Sequence, residues 1–195
     1  MTSVSALNHV YKIGLFGNHE NKNEENLLKV LEIKNLLIVQ IVQYKNSTIS
    51  FENIDIDNLK LKNEPMSVVS NSNTRILWNG PKNWLLISTK KDLLKDISKV
   101  FKETDFAVTD LSHSRAIIEI EGPDAIEVLK KGCPFNFNIL EKNKSINSTY
   151  NGIAFTVDML DDNPNKIRLF ALRSFGESFY HSITDASLEF GYRAL

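Results

Sequence analysis

The sequence predicts an α+β fold, a mainly antiparallel sheet with helices packed on one side. Three observations carry this reading: β-favouring runs pair across turn-rich spacers, apolar residues at helical spacing separate them, and a strand-strand-helix unit recurs. The recurrence suggests two related subdomains, although no sequence repeat accompanies it. A length of 195 residues with 42% hydrophobic content suffices for one sizeable core or two tightly joined subdomains.

Residues 1–26 read as an N-terminal arm and 27–195 as a single domain. The arm has no sustained periodicity and closes on the polar run from Asn18 to Glu25, too hydrophilic to bury much surface. Such an arm is either disordered or lies across a neighbour, where Tyr11, Leu15 and Phe16 supply apolar contacts. Two strands are expected at 28–33 and 36–43. Residues 47–61 stay open between a short helix and loop. Arg75 to Trp78 and Trp84 to Ile87 flank the turn-rich Asn79-Gly80-Pro81-Lys82-Asn83, which predicts a hairpin.

Thr89 and Asp92 form a capping pattern ahead of a helix over 90–102, with Leu93, Leu94, Ile97, Val100 and Phe101 on its apolar face. Strands follow at 106–111 and 114–121, the second placing Ile118 and Ile120 opposite Glu119 and Glu121. Gly122-Pro123 stops that strand and opens a helix, with Ala125, Ile126, Val128 and Leu129 buried. It closes at Gly132 in a left-handed conformation. A hairpin is expected over 153–160 and 167–172. Ser174, with Glu177 at the capping-box position, then starts a core helix whose stripe is Phe175, Phe179, Ile183, Ala186 and Phe190.

Composition excludes several functions. With 23 basic and 24 acidic residues the formal charge is -1, and no basic, aromatic-interleaved patch marks a nucleic-acid binder. No run approaches the about 20 apolar residues of a membrane span. The N-terminus lacks a secretory pattern and the single cysteine allows no internal disulfide, so a cytoplasmic protein is expected. There is no Gly-x-Gly-x-x-Gly fingerprint for a dinucleotide and no phosphate loop. His9, His19, His113, His181 and Cys133 are too scattered for a zinc site. Cys133 follows a helix end whose negative pole disfavours the thiolate, and reads as a small packed residue rather than a reactive one.

The most suggestive string is Asp110-Leu111-Ser112-His113-Ser114-Arg115. In an extended segment its acid and serines point away from His113, so no Ser-His-Asp relay closes locally and no catalytic residue is assigned. Two roles remain. Asp110 and the serines satisfy backbone donors where strands meet while Arg115 pairs with a carboxylate, or Ser112, His113 and Arg115 face a subunit or ligand.

That string, with Ala116, then Glu121-Gly122-Pro123-Asp124-Ala125 and Val128-Leu129-Lys130-Lys131-Gly132-Cys133-Pro134, resembles the sarcosine oxidase gamma subunit family. Trp78-Asn79-Gly80-Pro81-Lys82-Asn83-Trp84-Leu85-Leu86 and Arg173-Ser174-Phe175-Gly176-Glu177-Ser178-Phe179 are similar to it as well. The central strings also resemble, more weakly, the opening of the glycine-cleavage aminomethyltransferase and its folate-binding relatives. The resemblance implies a fold of that folate-binding type and a non-catalytic, structural subunit of a heterotetrameric oxidoreductase.

Such a complex oxidatively demethylates sarcosine to glycine, releasing hydrogen peroxide and passing the one-carbon unit to tetrahydrofolate. The resemblance implies alpha, beta and delta subunits as partners. It places FAD, FMN, NAD, tetrahydrofolate and zinc on those subunits, with no cofactor or metal in this chain. The alternatives are the corresponding subunit of an N-methyl amino-acid dehydrogenase, for instance one acting on N-methylglutamate, a free-standing folate-binding one-carbon module, and an assembly chaperone. The residues expected at a partner interface are Tyr11, Leu15, Phe16, Ser112, His113, Arg115, Phe135, Phe137 and Arg173.

Overall fold

In the computed structural model residues 4–20 and 22–195 are described; residues 1–3 and 21, part of the expected arm, lie outside them. In chain order the first elements are β1 (Gly14–Phe16), β2 (Leu28–Glu32), β3 (Leu37–Gln43), β4 (Asp55–Ile56), β5 (Leu59–Lys60) and β6 (Val68–Ser70). Next come β7 (Thr74–Gly80), β8 (Asn83–Ser88), α1 (Leu93–Val100), β9 (Phe106–Asp110), β10 (Arg115–Glu121) and α2 (Ala125–Lys130). The chain ends with β11 (Ser145–Tyr150), β12 (Ile153–Asp162), β13 (Asn165–Leu172), α3 (Gly176–Leu188) and β14 (Tyr192–Ala194). They fall into two compact units, one of Met1–Lys34, Ser114–Lys142 and Ile146–Leu195, the other of Asn35–His113 and Asn143–Ser145.

The second unit is a five-stranded antiparallel sheet in the order β6-β7-β8-β3-β9. One face packs Leu37, Val39, Ile41, Ile76, Trp84 and Leu86 against Leu93 and Ile97 of α1. The hairpin β7–β8 pairs Trp78 with Trp84, as the turn-rich spacer requires. The segment left open between helix and loop is a 3-10 turn at Phe51–Asn53 followed by the small hairpin β4–β5. It contributes Ile54, Ile56 and Leu61 to the core, and Lys62 O accepts from Trp84 Nε1 at 2.7 Å.

The first unit is a seven-stranded sheet in the order β1-β14-β2-β10-β13-β12-β11. Its registered pairings are antiparallel except that of β14 with β2. Ile118, Ile120, Ile167 and Leu169 are buried, as are Val128 and Leu129 of α2 and Phe179 and Ile183 of α3. Edge contacts join Tyr150 to Phe155 and Phe179. Both units run strand (β3; β10), three hydrogen-bonded strands (β6–β8; β11–β13), helix (α1; α3) and last strand (β9; β14). In each, the third of those strands returns antiparallel to the first. The two related subdomains are visible as this shared element order, with β2 inserted beside β10 in the first unit.

Several local expectations are corrected. The strands at 28–33 and 36–43 enter different sheets. Neither capping pattern is used: α1 begins at Leu93 behind Asp92, and α3 at Gly176 behind Phe175, with no side-chain cap bond at either. A 3-10 turn over Arg173–Phe175 displaces the start of α3 and turns Phe175 outward, 49% exposed. Val100 is likewise exposed. Gly132 is not left-handed; a Cβ there would lie 2.6 Å from the Tyr150 ring, so close approach is what requires glycine. Glu119, expected on a polar face, is 4% exposed and is held by Arg168 at 2.8 Å and Lys166 at 3.0 Å.

Candidate functional site

The described part of residues 1–26 is tied to its own unit. Leu7 is fully buried, and Ser5 Oγ donates to the Glu32 carboxylate. Tyr11 donates to Val30 O and Leu195 O, packs at 5.5 Å from Tyr180, and has its phenol pKa raised by burial. Phe16 stacks on Tyr192 at 5.1 Å within the β1–β14 pair, while Leu15 on the same short strand stays exposed. The arm is therefore an edge of the sheet. Its aromatic residues, spaced without regular period, fill gaps beside β14 and α3.

The string after β9 is a turn and not an extended segment. Ser112 Oγ donates to Asp110 Oδ1 at 2.6 Å, the Ser112 backbone N–H donates to the same oxygen at 2.9 Å, and Ser112 Oγ accepts from Ile38 N at 3.0 Å. This locks the exit of β9 against the start of β3, the role that Asx-type turns play where strands meet. The hydroxyl donates to the Asp110 carboxylate and not to a histidine, so the Ser-His arrangement of an activated nucleophile is not formed here. His113 is exposed.

Arg115 opens β10 in the first unit and is half-buried. Its guanidinium donates to Ser114 O and Ser114 Oγ, each at 3.3 Å, so the expected carboxylate partner is corrected to a neutral serine. Burial alone lowers its pKa. Arg173 lies on the neighbouring strand's exit: its backbone N–H donates to Ser114 O at 2.9 Å and its guanidinium to Val4 O. In the loop before β11, Phe137 is buried and meets Phe135 edge-on at 5.4 Å. Cys133 is buried and its thiol donates to Ser148 Oγ at 3.3 Å.

Two features escaped the sequence. A cleft of about 680 Å³ lies along α3, lined by Lys131, Tyr150, Asn151, His181, Asp185 and others. Its charges are partly spent internally, since Lys131 pairs with Glu189 at 2.6 Å and lies over the Phe190 ring. Tyr150 donates to Val128 O at 2.9 Å, and burial pushes its phenol pKa up to about 12. The other feature is an exposed apolar group at the end of β13, Leu172, Phe175 and Val4, of which Phe175 is expected in the apolar stripe of the last helix. Among the described residues no group of three or more His, Cys, Asp or Glu is placed to hold a metal ion, and no helix is long and apolar enough to cross a membrane.

No family model matches the chain. Over 122 residues it is 31% identical to sarcosine oxidase subunit gamma of Corynebacterium sp. (strain U-96), 61% of this chain and 58% of that protein. Over 120 residues it is 29% identical to the subunit of the same name from Corynebacterium sp. (strain P-1), again 58% of that protein. The chain thus spans under two thirds of the curated relatives it matches.

In fold it is similar to a chain of the heterotetrameric sarcosine oxidase from Corynebacterium sp. U-96, solved with pyrrole 2-carboxylate. The TM-score is 0.80 at 22% identity, covering 96% of this chain and 95% of that one. A second likeness, TM-score 0.63 at 11% identity, is to the glycine cleavage system aminomethyltransferase T from Bartonella henselae, covering 88% of this chain and 48% of that one. In sequence the chain is similar to sarcosine oxidase gamma subunits, and its fold is similar to that of a chain of the heterotetrameric enzyme and of the aminomethyltransferase.

Proposed function

We propose that the chain is a non-catalytic gamma-type subunit of a heterotetrameric sarcosine oxidase, built on an aminomethyltransferase-like frame and acting in the cytoplasm. In this reading alpha, beta and delta subunits carry the substrate pocket, the flavins, NAD, tetrahydrofolate and zinc. The complex converts sarcosine to glycine and hydrogen peroxide, and hands the one-carbon unit to tetrahydrofolate. The large subunits set whether sarcosine or another N-methyl amino acid is used. The observation that supports the reading is the end-to-end fold likeness to a chain of the heterotetrameric enzyme, joined to sequence identity with subunits named gamma. The polar groups of this chain fit a structural role: Ser112, Glu119 and Tyr150 are each committed to internal partners.

The aminomethyltransferase likeness favours a second reading, a free-standing folate-binding module. The chain spans less than half of that transferase. Affinity purification of the tagged full chain, co-expressed with the genes beside its own, separates the two. Flavin-bearing partners in fixed ratio, with a colourless chain when expressed alone, fit the subunit. Stoichiometric folate or flavin on the chain alone overturns it.

A further inference from the structure

At the end of the β10–β13 pair two arginines frame exposed apolar side chains. Arg115 stands opposite Leu172 in the ladder, and Arg173 follows Leu172 directly. Ser114 O receives both the Arg115 guanidinium at 3.3 Å and the Arg173 backbone N–H at 2.9 Å, so the two residues are anchored to one carbonyl. Leu172, Phe175 and Val4 are 43%, 49% and 61% exposed, and Val4 is tethered to the patch by its carbonyl, which accepts from Arg173. Large apolar groups gathered in this way mark interaction surfaces more often than chance scatter does.

The charges say what kind of partner fits. Elsewhere in this unit Arg168 meets Glu119 and Arg193 meets Glu24. Among the described residues Arg115 and Arg173 have no carboxylate; their guanidinium bonds go to neutral oxygens. A guanidinium has five donors in a planar fork suited to a carboxylate, and the half-buried Arg115 uses one nitrogen on two long bonds. A desolvated cation without a counter-charge is costly, and a carboxylate arriving from outside removes that cost.

We propose that Arg115 and Arg173, with Leu172, Phe175 and Val4, form the docking surface for a segment of a large partner subunit that presents a carboxylate beside an apolar side chain. This rests on the subunit reading above. Arginine and aromatic residues are the groups that dominate binding where they sit at an interface centre. Salt-sensitive association is expected from the arginine contacts, and salt-insensitive residual affinity from the apolar ones.

The test uses the full chain with its co-expressed large subunits. Arg115→Glu and Arg173→Glu should each weaken capture at least tenfold, Arg115→Lys should weaken it less, and Lys99→Glu, on α1 of the other unit, should leave it unchanged. Circular dichroism melts of the variants report folding. Independently of any variant, hydrogen exchange at residues 114–115 and 172–176 of the wild-type chain should slow on assembly. If the wild type assembles while the charge reversals bind as tightly and exchange is unaltered, the patch is not the docking surface and the subunit reading survives. If the wild type does not assemble, both fall. Concentration-dependent self-association that Arg115→Glu abolishes would instead assign the patch to a second copy of this chain, and overturn the proposal.

Discussion

Tyr150 lies so close to Gly132 that a single added methyl has nowhere to go. Its ring is held at three points, by the hydroxyl on Val128 O and by edge contacts with Phe155 and Phe179, so it cannot yield to a Cβ 2.6 Å away. Because Gly132 is not left-handed, the backbone tolerates alanine and the clash acts alone. Gly132→Ala should therefore lower stability by about 1–3 kcal/mol, the usual cost of overpacking; an unchanged urea midpoint contradicts it. A second residue reports on pH. The Asp57 carboxylate, 10% exposed, accepts from Lys90 at 2.6 Å and Thr74 at 2.5 Å, and these bonds hold its pKa below the ordinary value. A folded pKa below the unfolded one gives stability that is full above about pH 4 and is lost as pH falls through the lower folded value. Asp57→Asn should cut stability at pH 7 and flatten that acid limb; parallel acid limbs in urea titrations of wild type and variant would contradict it.

The N-terminal segment behaves as an element of the first unit although it carries no periodicity. Leu7 is fully buried, and Gly17 and Gly191 take left-handed φ of 71° and 69° where the segment crosses the end of α3. Leu7→Ala should cost about 2–5 kcal/mol, as a buried large-to-small change does; a loss under the scatter of the urea midpoint would mean that the segment is not part of the fold. What made elements legible was length and turn chemistry. The β7–β8 and β12–β13 hairpins are flanked by strong spacers and were readable, as were α2 and the core of α3. The three-residue strands β1, β6 and β14, and β11 with its polar Ser-Ile-Asn-Ser-Thr-Tyr, show too few alternations to register as strands. Capping boxes at Thr89 and Ser174 misled because a turn of different geometry precedes each helix. At the proposed docking patch, Arg115 and Arg173 are singled out from the sequence. Phe175 is expected in the core stripe because pattern alone cannot show that a 3-10 turn rotates it to solvent.

At the scale of the whole molecule, the chain repeats one element order in two units, a frame shared with a transferase and with an oxidase complex. A fold hosts many functions, so the subunit reading stands on its sequence kinship and on polar groups that are committed internally. The fold class was legible because hairpins and helices alternate. The subunit reading enters from the sequence only through strings that resemble a family, since no residue pattern by itself names a partner. Size-exclusion chromatography with mass detection of the full chain, co-expressed with large subunits of a sarcosine oxidase, tests the central claim most directly. The account predicts one species holding each subunit in fixed ratio, with this chain absent from the monomer position. A stable monomer of 22.2 kDa that ignores those subunits would contradict it.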